Sequence, residues 1–173
     1  MARRVAAGDA AAFRAIVEHT QVRLYRVAAR VLGDLAEAED AVQEAYVKAY
    51  QALTAGRYDG RAEIGTWLYR IVTNCCLDAL RRRAAGARAA ERAPRFAESA
   101  SAEARVALRE LDARLATLPP PQRVAVVLTA VEGLSTREAA EVLGCTEGAV
   151  EQRLQRARGA LRAEGRDEGS RDG

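Results

Sequence analysis

Apolar residues recur at helical spacing along most of this chain, and that regularity limits the fold more than any other feature. Between Phe13 and Leu32 they lie three, four and seven positions apart, as on one face of an α-helix. Asp9 precedes this segment as a predicted N-cap, Gly33 follows it as a predicted end, and Asp34 is a predicted N-cap of the next helix. Similar segments follow, and three amphipathic helices can bury one shared core. The pattern therefore predicts an all-α fold.

A stretch poor in large apolar residues interrupts the pattern. It is rich in alanine, arginine, glutamate and serine, contains Pro94 and has Phe96 as its one large apolar side chain. We expect a flexible linker here, because a compact domain rarely contains a loop of this length. Helical spacing then resumes, which predicts two small helical domains. The predicted boundaries are a first domain at 7–83, a linker at 84–104, a second domain at 105–162 and a disordered tail at 163–173.

Composition excludes several classes of protein. The 173 residues are 49% hydrophobic, without an uninterrupted apolar run near the ~20 residues that span a membrane. No apolar segment follows Met1 as a secretion signal would, so we expect a cytoplasmic protein without membrane insertion. Cys75, Cys76, Cys145 and His19 suit neither a disulfide framework nor a usual zinc site. We expect Cys75 and Cys76 to be small core residues, because Cys75 follows the apolar spacing. Without paired catalytic carboxylates, a nucleophile motif or a phosphate-binding glycine loop, we expect no enzyme, cofactor or metal.

The strongest local motif lies in the second half. Ser135 to Glu138 reads as a capping box that opens a short helix, and Gly144 ends that helix before a longer one. A small residue at Ala140 and an inward valine at Val150 complete the spacing of a helix-turn-helix. Arginine and glutamine on the opposite face of the longer helix can contact bases and phosphates in a major groove. The alternative interpretation is a solvated face of a four-helix bundle.

Two sets of motifs resemble one known family. VEGLSTREAAEVLGCTEGAVEQRLQRARGALR resembles region 4 of bacterial sigma-70 family factors. GDAAAFRAIVEHTQVRLYRVAARVLGDLAEAEDAVQEAYVKAY resembles regions 2.1 and 2.2, and GTWLYRIVTNCCLDALRRR resembles regions 2.3 and 2.4. Regions 1.1 and 3 have no counterpart between or before these motifs. That two-domain form is typical of the extracytoplasmic-function (ECF) subfamily, and the resemblance covers about residues 7–162.

The resemblance implies partners and site residues. A factor of this kind binds core RNA polymerase, at the β′ clamp and the β flap, and promoter DNA, and commonly has an anti-sigma factor. The implied polymerase contacts are Asp40, Gln43, Glu44 and Lys48. The implied −10 DNA contacts are Arg70, Asn74, Asp78, Arg81 and Arg82, with Arg83 also on the backbone and the loop Tyr58–Gly65 beside them. The implied −35 DNA contacts are Ala149, Gln152, Arg153, Gln155 and Arg156.

Some of these residues have a plainer interpretation. The acidic stripe on the second helix could be a solvated face, and Asp78 could be an ion-pair partner for Arg81 or Arg82. Trp67 follows the apolar stripe, and we expect it in the core rather than as a stacking platform. Glu151 stands where a basic residue is common in the family, and Ala149 replaces a usual threonine.

Two other functions fit parts of the sequence. A helix-turn-helix regulator that acts without polymerase would share the second domain but would carry a ligand pocket or receiver domain in place of AEDAVQE and TWLYRIVTN. A sigma-like protein that titrates an anti-sigma factor would keep the fold but lose arginines such as Arg153 and Arg156 from the recognition helix.

Overall fold

The computed structural model describes the backbone of residues 1–86 and 102–169, and the side chains of residues 1–86 and 110–163. Every regular element in these ranges is a helix. The first unit contains four α-helices, namely α1 (Ala2–Ala6), α2 (Ala10–Leu32), α3 (Leu35–Thr54) and α4 (Ile64–Gly86). The second contains α5 (Ala102–Thr117), α6 (Pro120–Val126), a π-helical turn (Val127–Val131), α7 (Thr136–Leu143) and α8 (Glu147–Gly169). None of these helices combines the length and the apolar content needed to cross a bilayer.

The helix boundaries follow the capping residues that the sequence indicates. The Asp9 carboxylate accepts the Ala12 N–H at 3.0 Å, and the Asp34 carboxylate accepts the Ala36 and Glu37 N–H groups at 2.9 and 3.0 Å. Gly33 closes α2 in the left-handed conformation, with φ of 69°. These contacts satisfy N–H groups that a helix start leaves without partners.

Three elements depart from the expected pattern. Helix α1 was not predicted, although Val5 is fully buried and Arg4 pairs with Asp9 at 2.7 Å. Helix α4 begins at Ile64, so the loop expected to reach Gly65 is shorter. The π-helical turn interrupts what the sequence predicts as one helix, and there the Glu132 N–H donates to the Val127 carbonyl at 3.1 Å. Periodicity over so few residues does not distinguish an α- from a π-turn.

The predicted linker and tail differ from the structure at their ends. Helix α4 continues to Gly86 and α5 begins at Ala102, and the rest of the predicted linker lies outside the described residues. Helix α8 continues to Gly169, so the prediction of disorder is wrong for residues 163–169. Adding arginine, alanine or glutamate to the end of an existing helix costs little free energy. Residues 170–173 lie outside the described residues.

The two units pack against each other. Helices α2 and α4 of the first unit contact α5, α6 and α7 of the second, and buried residues from both form one apolar cluster. One face of α4 is consequently buried beyond the predicted stripe. Leu68, Val72 and the adjacent cysteines Cys75 and Cys76 are buried as expected, but so is Tyr69.

Candidate functional site

The polar stripe of α3 divides into a paired and an unpaired part. Asp40 is exposed and has no ion-pair partner among the residues that the structure describes. Glu44 is half-buried, and its carboxylate lies 2.6 Å from Lys48 Nζ and 3.8 Å from a terminal nitrogen of Arg82. The hydrogen bond from Lys48 lowers the pKa of the Glu44 carboxyl. Gln43 is exposed and donates to the Glu39 carboxylate at 3.3 Å.

The polar stripe of α4 is largely exposed. Arg70, Asn74, Arg81 and Arg82 are open to solvent, as the helical spacing predicts. Asp78 is half-buried and lies 3.1 Å from Arg81, which matches the plainer interpretation of this acid.

Arg83 turns away from that stripe. It forms an ion pair with Glu37 and donates to the Leu32 carbonyl at 3.3 Å. Its guanidinium therefore joins α4 to the α2–α3 corner, and it is engaged within the first unit rather than extended toward a DNA backbone.

An open cleft lies beside Asn74. Its volume is about 540 Å³, within the usual range for a bound small molecule or base. It is lined by side chains from α3, the following loop and α4, among them Lys48, Gln51, Arg57 and Trp67. Lys48, expected among the polymerase contacts, thus shares this cleft with Asn74, and its ammonium also lies 3.6 Å from the Cys75 sulfur.

Trp67 lines one side of the cleft. Trp67 is half-buried, and its ring centroid lies 4.9 Å from that of Tyr58 in the loop before α4. The Tyr58 hydroxyl donates to the Ala62 carbonyl at 2.6 Å, which holds the loop against the tryptophan. Trp67 is therefore only partly a core residue, because it also lines the cleft.

The helix-turn-helix has the predicted geometry. The Ser135 hydroxyl accepts the Glu138 N–H at 3.2 Å, and the Glu138 carboxylate accepts the Ser135 N–H at 2.8 Å, so both halves of the capping box are present. Gly144 ends α7 in the left-handed conformation with φ of 60°, which suits a residue without a Cβ. Val150 is fully buried beneath the turn.

The outer face of α8 presents the expected side chains to solvent. Gln152, Gln155 and Arg156 are exposed, whereas Ala149 and Arg153 are half-buried. The Arg153 guanidinium lies 3.5 Å from the Cys145 sulfur in the turn. Of these two arginines, Arg156 is the more exposed.

The cysteines form no disulfide. Cys75 and Cys76 are buried, as expected for small core residues, and Cys145 is half-buried. Burial raises the pKa of the Cys76 thiol to about 12. Within the described residues no group of three or more candidate ligands could hold a metal ion.

Comparison with known proteins identifies the family. The sequence matches the family models described as Sigma-70 region 2, over residues 16–86, and Sigma-70, region 4, over residues 108–161. It is 36% identical to the ECF RNA polymerase sigma factor SigM of Mycobacterium tuberculosis over 157 residues, which cover 90% of this chain and 78% of that protein. The chain belongs to the ECF sigma factors.

A second relative and two solved structures agree with this assignment. The ECF sigma factor SigW of Bacillus subtilis is 32% identical, with 95% of each chain covered. CnrH, solved in complex with the cytosolic domain of CnrY, superimposes with a TM-score of 0.70 at 32% identity, covering 94% of this chain and 92% of CnrH. The sigma factor RpoE of Bartonella quintana, solved with the anti-sigma factor NepR, gives a TM-score of 0.72 at 25% identity, covering 87% and 94%.

Family membership decides between the functions that the sequence left open. This ECF sigma factor directs RNA polymerase to promoters, and the match to the region 2 model rules out a plain helix-turn-helix regulator. From these matches we call the first structural unit region 2 and the second region 4.

Sequence reasoning missed the face of α4 that region 4 covers. Tyr69 and Thr73 are buried although neither was expected in the core, and with Cys76, which was, they lie four and three positions apart on a second helical stripe. That spacing could have been recognised in the sequence, but the stripe through Leu68 and Val72 is more apolar and predicts a different buried face. Glu132, which contacts this face, has no sequence motif that marks it.

Proposed function

We propose that this sigma factor divides its work between the two units as its family resemblance implies. Region 2, at 7–83, binds core polymerase and recognises and melts the −10 element. Region 4, at 105–162, reads the −35 element. The observation that carries this proposal is the cleft beside Asn74, because a melting factor needs a pocket for an extruded base and an ordinary duplex reader does not.

Polymerase binding is assigned to the exposed stripe of α3, where Asp40, Gln43, Glu44 and Lys48 face the β′ clamp. Asp40 is the leading contact, since its charge is exposed and none of the described residues forms an ion pair with it. Glu44 acts through its pairs with Lys48 and Arg82, which fix the orientation of these cationic side chains. An acidic surface of this kind orients the protein toward a basic partner and raises the rate of association with it.

The −10 element is assigned to the α4 stripe and the cleft. Asn74 donates to and accepts from the edge of an extruded base, and Trp67, which lines the cleft and packs against Tyr58, supports its apolar face. Arg70, Arg81 and Arg82 bind phosphates, with Asp78 orienting Arg81. Lys48 and Arg57 supply positive charge at the cleft for the same strand.

The −35 element is assigned to the outer face of α8. Arg156 and Gln152 reach base edges in the major groove, while Ala149, Arg153 and Gln155 lie against the backbone. The Thr146 hydroxyl accepts the Ala149 N–H at 3.2 Å and so fixes the start of this helix at the DNA. Region 4 also carries the contact to the β flap.

The protein has no catalytic activity of its own and acts in the cytoplasm. An anti-sigma factor regulates it. This part of the proposal is supported by the anti-sigma complex of the similar RpoE and by the CnrH complex with the cytosolic domain of CnrY.

Reversing the charge of Asp40 tests the polymerase surface. Asp40→Arg should weaken binding to core polymerase about tenfold or more, because attraction to a basic partner becomes repulsion. Asp40 is preferable to Glu44 for this test, since reversing Glu44 would also break its contacts with Lys48 and Arg82. Binding is measured by fluorescence anisotropy with labelled sigma factor.

Glu110→Arg, an exposed change of the same charge on α5, is the matched control and should bind normally. Unaltered holoenzyme formation by Asp40→Arg, with a normal helical circular dichroism spectrum in both variants, would show that this face of α3 does not contact polymerase.

A further inference from the structure

Glu132 is a buried acid from region 4 that lies on region 2. Its side chain is only 2% exposed, and its carboxylate lies at the end of the π-helical turn. One oxygen accepts from Arg26 Nε at 2.7 Å, and the other accepts from the Tyr69 hydroxyl at 2.8 Å. We call Glu132, Arg26 and Tyr69 the Glu132 cluster.

The Glu132 cluster forms only while the two units are packed against each other. Burying a carboxylate is costly unless charged or hydrogen-bonding partners compensate for the lost water. Both partners here come from region 2, Arg26 from α2 and Tyr69 from α4. Burial, together with the nearby carboxylate, raises the pKa of the Tyr69 hydroxyl well above its usual range. The hydroxyl therefore stays protonated and remains a donor.

A second polar contact joins the units beside this cluster. The Arg123 guanidinium is buried and donates to the Val31 carbonyl at the end of α2 at 2.7 Å. It also donates to the Ala116 and Leu118 carbonyls at 2.5 and 3.1 Å, at the end of α5. One arginine thus satisfies carbonyls of both units that would otherwise lose their partners at the helix ends.

The packed arrangement places the two candidate DNA-reading surfaces side by side. A terminal nitrogen of Arg70 lies 3.7 Å from where a Cβ on Gly144 would stand, in the turn of the helix-turn-helix. The −10 and −35 elements are centred about 25 base pairs apart, roughly 85 Å along a duplex that rises 3.4 Å per pair. Units in direct contact cannot occupy both elements, so the packed arrangement must open before the promoter is bound.

We propose that the Glu132 cluster is an intramolecular latch that keeps the free sigma factor closed. In the closed form region 4 of the same chain covers the Tyr69 face of α4 and stands against Arg70. Opening exposes Glu132 and Tyr69 to water and frees both reading surfaces. The link from opening to promoter binding rests on the proposed function of the two units, whereas the latch itself rests only on these contacts.

Charge reversal of Glu132 tests the latch. Glu132→Lys places a cation beside Arg26 and should shift the closed-to-open ratio about tenfold or more toward the open form. The readout is small-angle X-ray scattering of the full chain. A closed chain of this length has a radius of gyration near 16 Å, and the variant should be clearly larger. Glu141→Lys changes the charge equally within region 4, at an exposed pair with Arg137, and should scatter as wild type.

Arg26→Gln is the second variant, in case Glu132→Lys disturbs region 4. Arg26 is partly exposed, with 43% of its side chain accessible, so its loss affects the latch more than the core of region 2. This variant should open the chain in the same direction. A wild-type chain already extended in solution, or two folded variants that scatter as wild type, would overturn the latch.

Core polymerase binding, measured on the same variants, separates the two proposals. If the closed form limits assembly, Glu132→Lys should bind core polymerase several-fold more tightly than wild type, in proportion to the gain in open form. Opening without any gain in polymerase affinity would retain the latch and overturn its regulatory role. Loss of polymerase binding by Asp40→Arg, with wild-type scattering, would in turn support the proposed function independently of the latch.

Discussion

The two units of this sigma factor present their candidate reading residues in opposite ways. Region 4 places them along the exposed face of α8, and the orientation of that helix depends on the capping box and Gly144 nearby in the chain. Region 2 assembles its cleft from three separate segments, with Lys48 on α3, Arg57 on the loop and Asn74 on α4. One surface is therefore a local product of the sequence, and the other is a product of tertiary packing.

This contrast determines how each surface should respond to mutation. A surface that depends on packing should lose DNA binding when its supporting core is weakened, even if every reading side chain remains. A surface on one well-capped helix fails when its own side chains are removed. Mutation and chemical modification can separate these two kinds of dependence.

Truncating the core of α4 should damage region 2 selectively. Leu68 is fully buried, and Leu68→Ala should lower the free energy of unfolding by about 2–5 kcal/mol through lost contacts and a cavity. Open-complex formation at the −10 element should fall with it, while −35 protection by region 4 persists. Thermal denaturation and footprinting measure the two effects.

Leu128→Ala is the matched change in region 4, where Leu128 is also fully buried. It should reverse the pattern and weaken −35 protection first. Equal losses at both promoter elements in both variants would mean that the two surfaces do not depend on separate supports.

Removing the two candidate reading arginines of α8 should abolish most −35 readout without a change in fold. Each base-contacting arginine contributes about 1–3 kcal/mol, and each phosphate contact adds to the salt dependence of binding. Arg153→Ala with Arg156→Ala should therefore lower both the affinity and the sequence preference. Titration of −35 duplexes at several salt concentrations measures both.

Arg14→Ala, an exposed arginine on α2, should leave sequence preference at the −35 element unchanged. If the double variant kept wild-type selectivity and salt dependence, α8 would not be the reading helix.

Removing the N-cap of α7 should have a moderate effect confined to region 4. Ser135→Ala deletes the hydroxyl that accepts the Glu138 N–H and should cost about 0.5–2 kcal/mol. Thr54→Ala serves as the control, because the Thr54 hydroxyl only donates to carbonyls of its own helix end at 2.9 and 3.2 Å. Denaturant unfolding should show the loss for Ser135→Ala alone, and a larger loss for Thr54→Ala would contradict the local account of α7.

Cysteine alkylation should give the smallest but most selective difference between the units. Burial raises the pKa of Cys76 to about 12 and also raises that of Cys75, so at pH 8 both thiols stay largely in the unreactive protonated form. Cys145 in the region 4 turn is half-buried and should react first with iodoacetamide. Peptide mass spectrometry locates the adduct, and earlier modification of Cys75 or Cys76 would show that region 2 opens more readily than this packing implies.

The sequence predicts local features of this protein better than distant ones. Asp9, Asp34, Gly33 and the Ser135 capping box each fix a helix end through contacts within four residues, and all are present in the structure. The exposed stripe from Arg70 to Arg81 is predictable for the same reason, since helical geometry alone places it.

Contacts between distant residues escaped prediction. In the sequence, Arg83 is indistinguishable from the other basic residues at the end of α4. In the fold, α2 and α3 place the Leu32 carbonyl and the Glu37 carboxylate beside it. Trp67 shares a stripe with core residues, yet it also lines the cleft and packs against Tyr58 of the preceding loop. Glu132 has its partners 106 and 63 positions away, and no periodicity along the chain connects them.

The central claim is that region 2 melts the −10 element by holding an extruded base in the cleft beside Asn74. Extrusion costs a few kcal/mol of stacking and pairing, which hydrogen bonds to the base edge must offset. Asn74→Ala should therefore leave −35 protection nearly unchanged but reduce open-complex formation, and Gln21→Ala on α2 is the control.

The most direct measurement is permanganate reactivity of −10 thymines in holoenzyme complexes, on linear duplex and on premelted bubble promoters. Asn74→Ala should lose most reactivity and initiated RNA on duplex promoters and recover much of the RNA yield on bubble templates, where the opening cost is already met. Melting of linear duplex promoters by Asn74→Ala as efficiently as by wild type would contradict the account and move the base pocket away from this cleft.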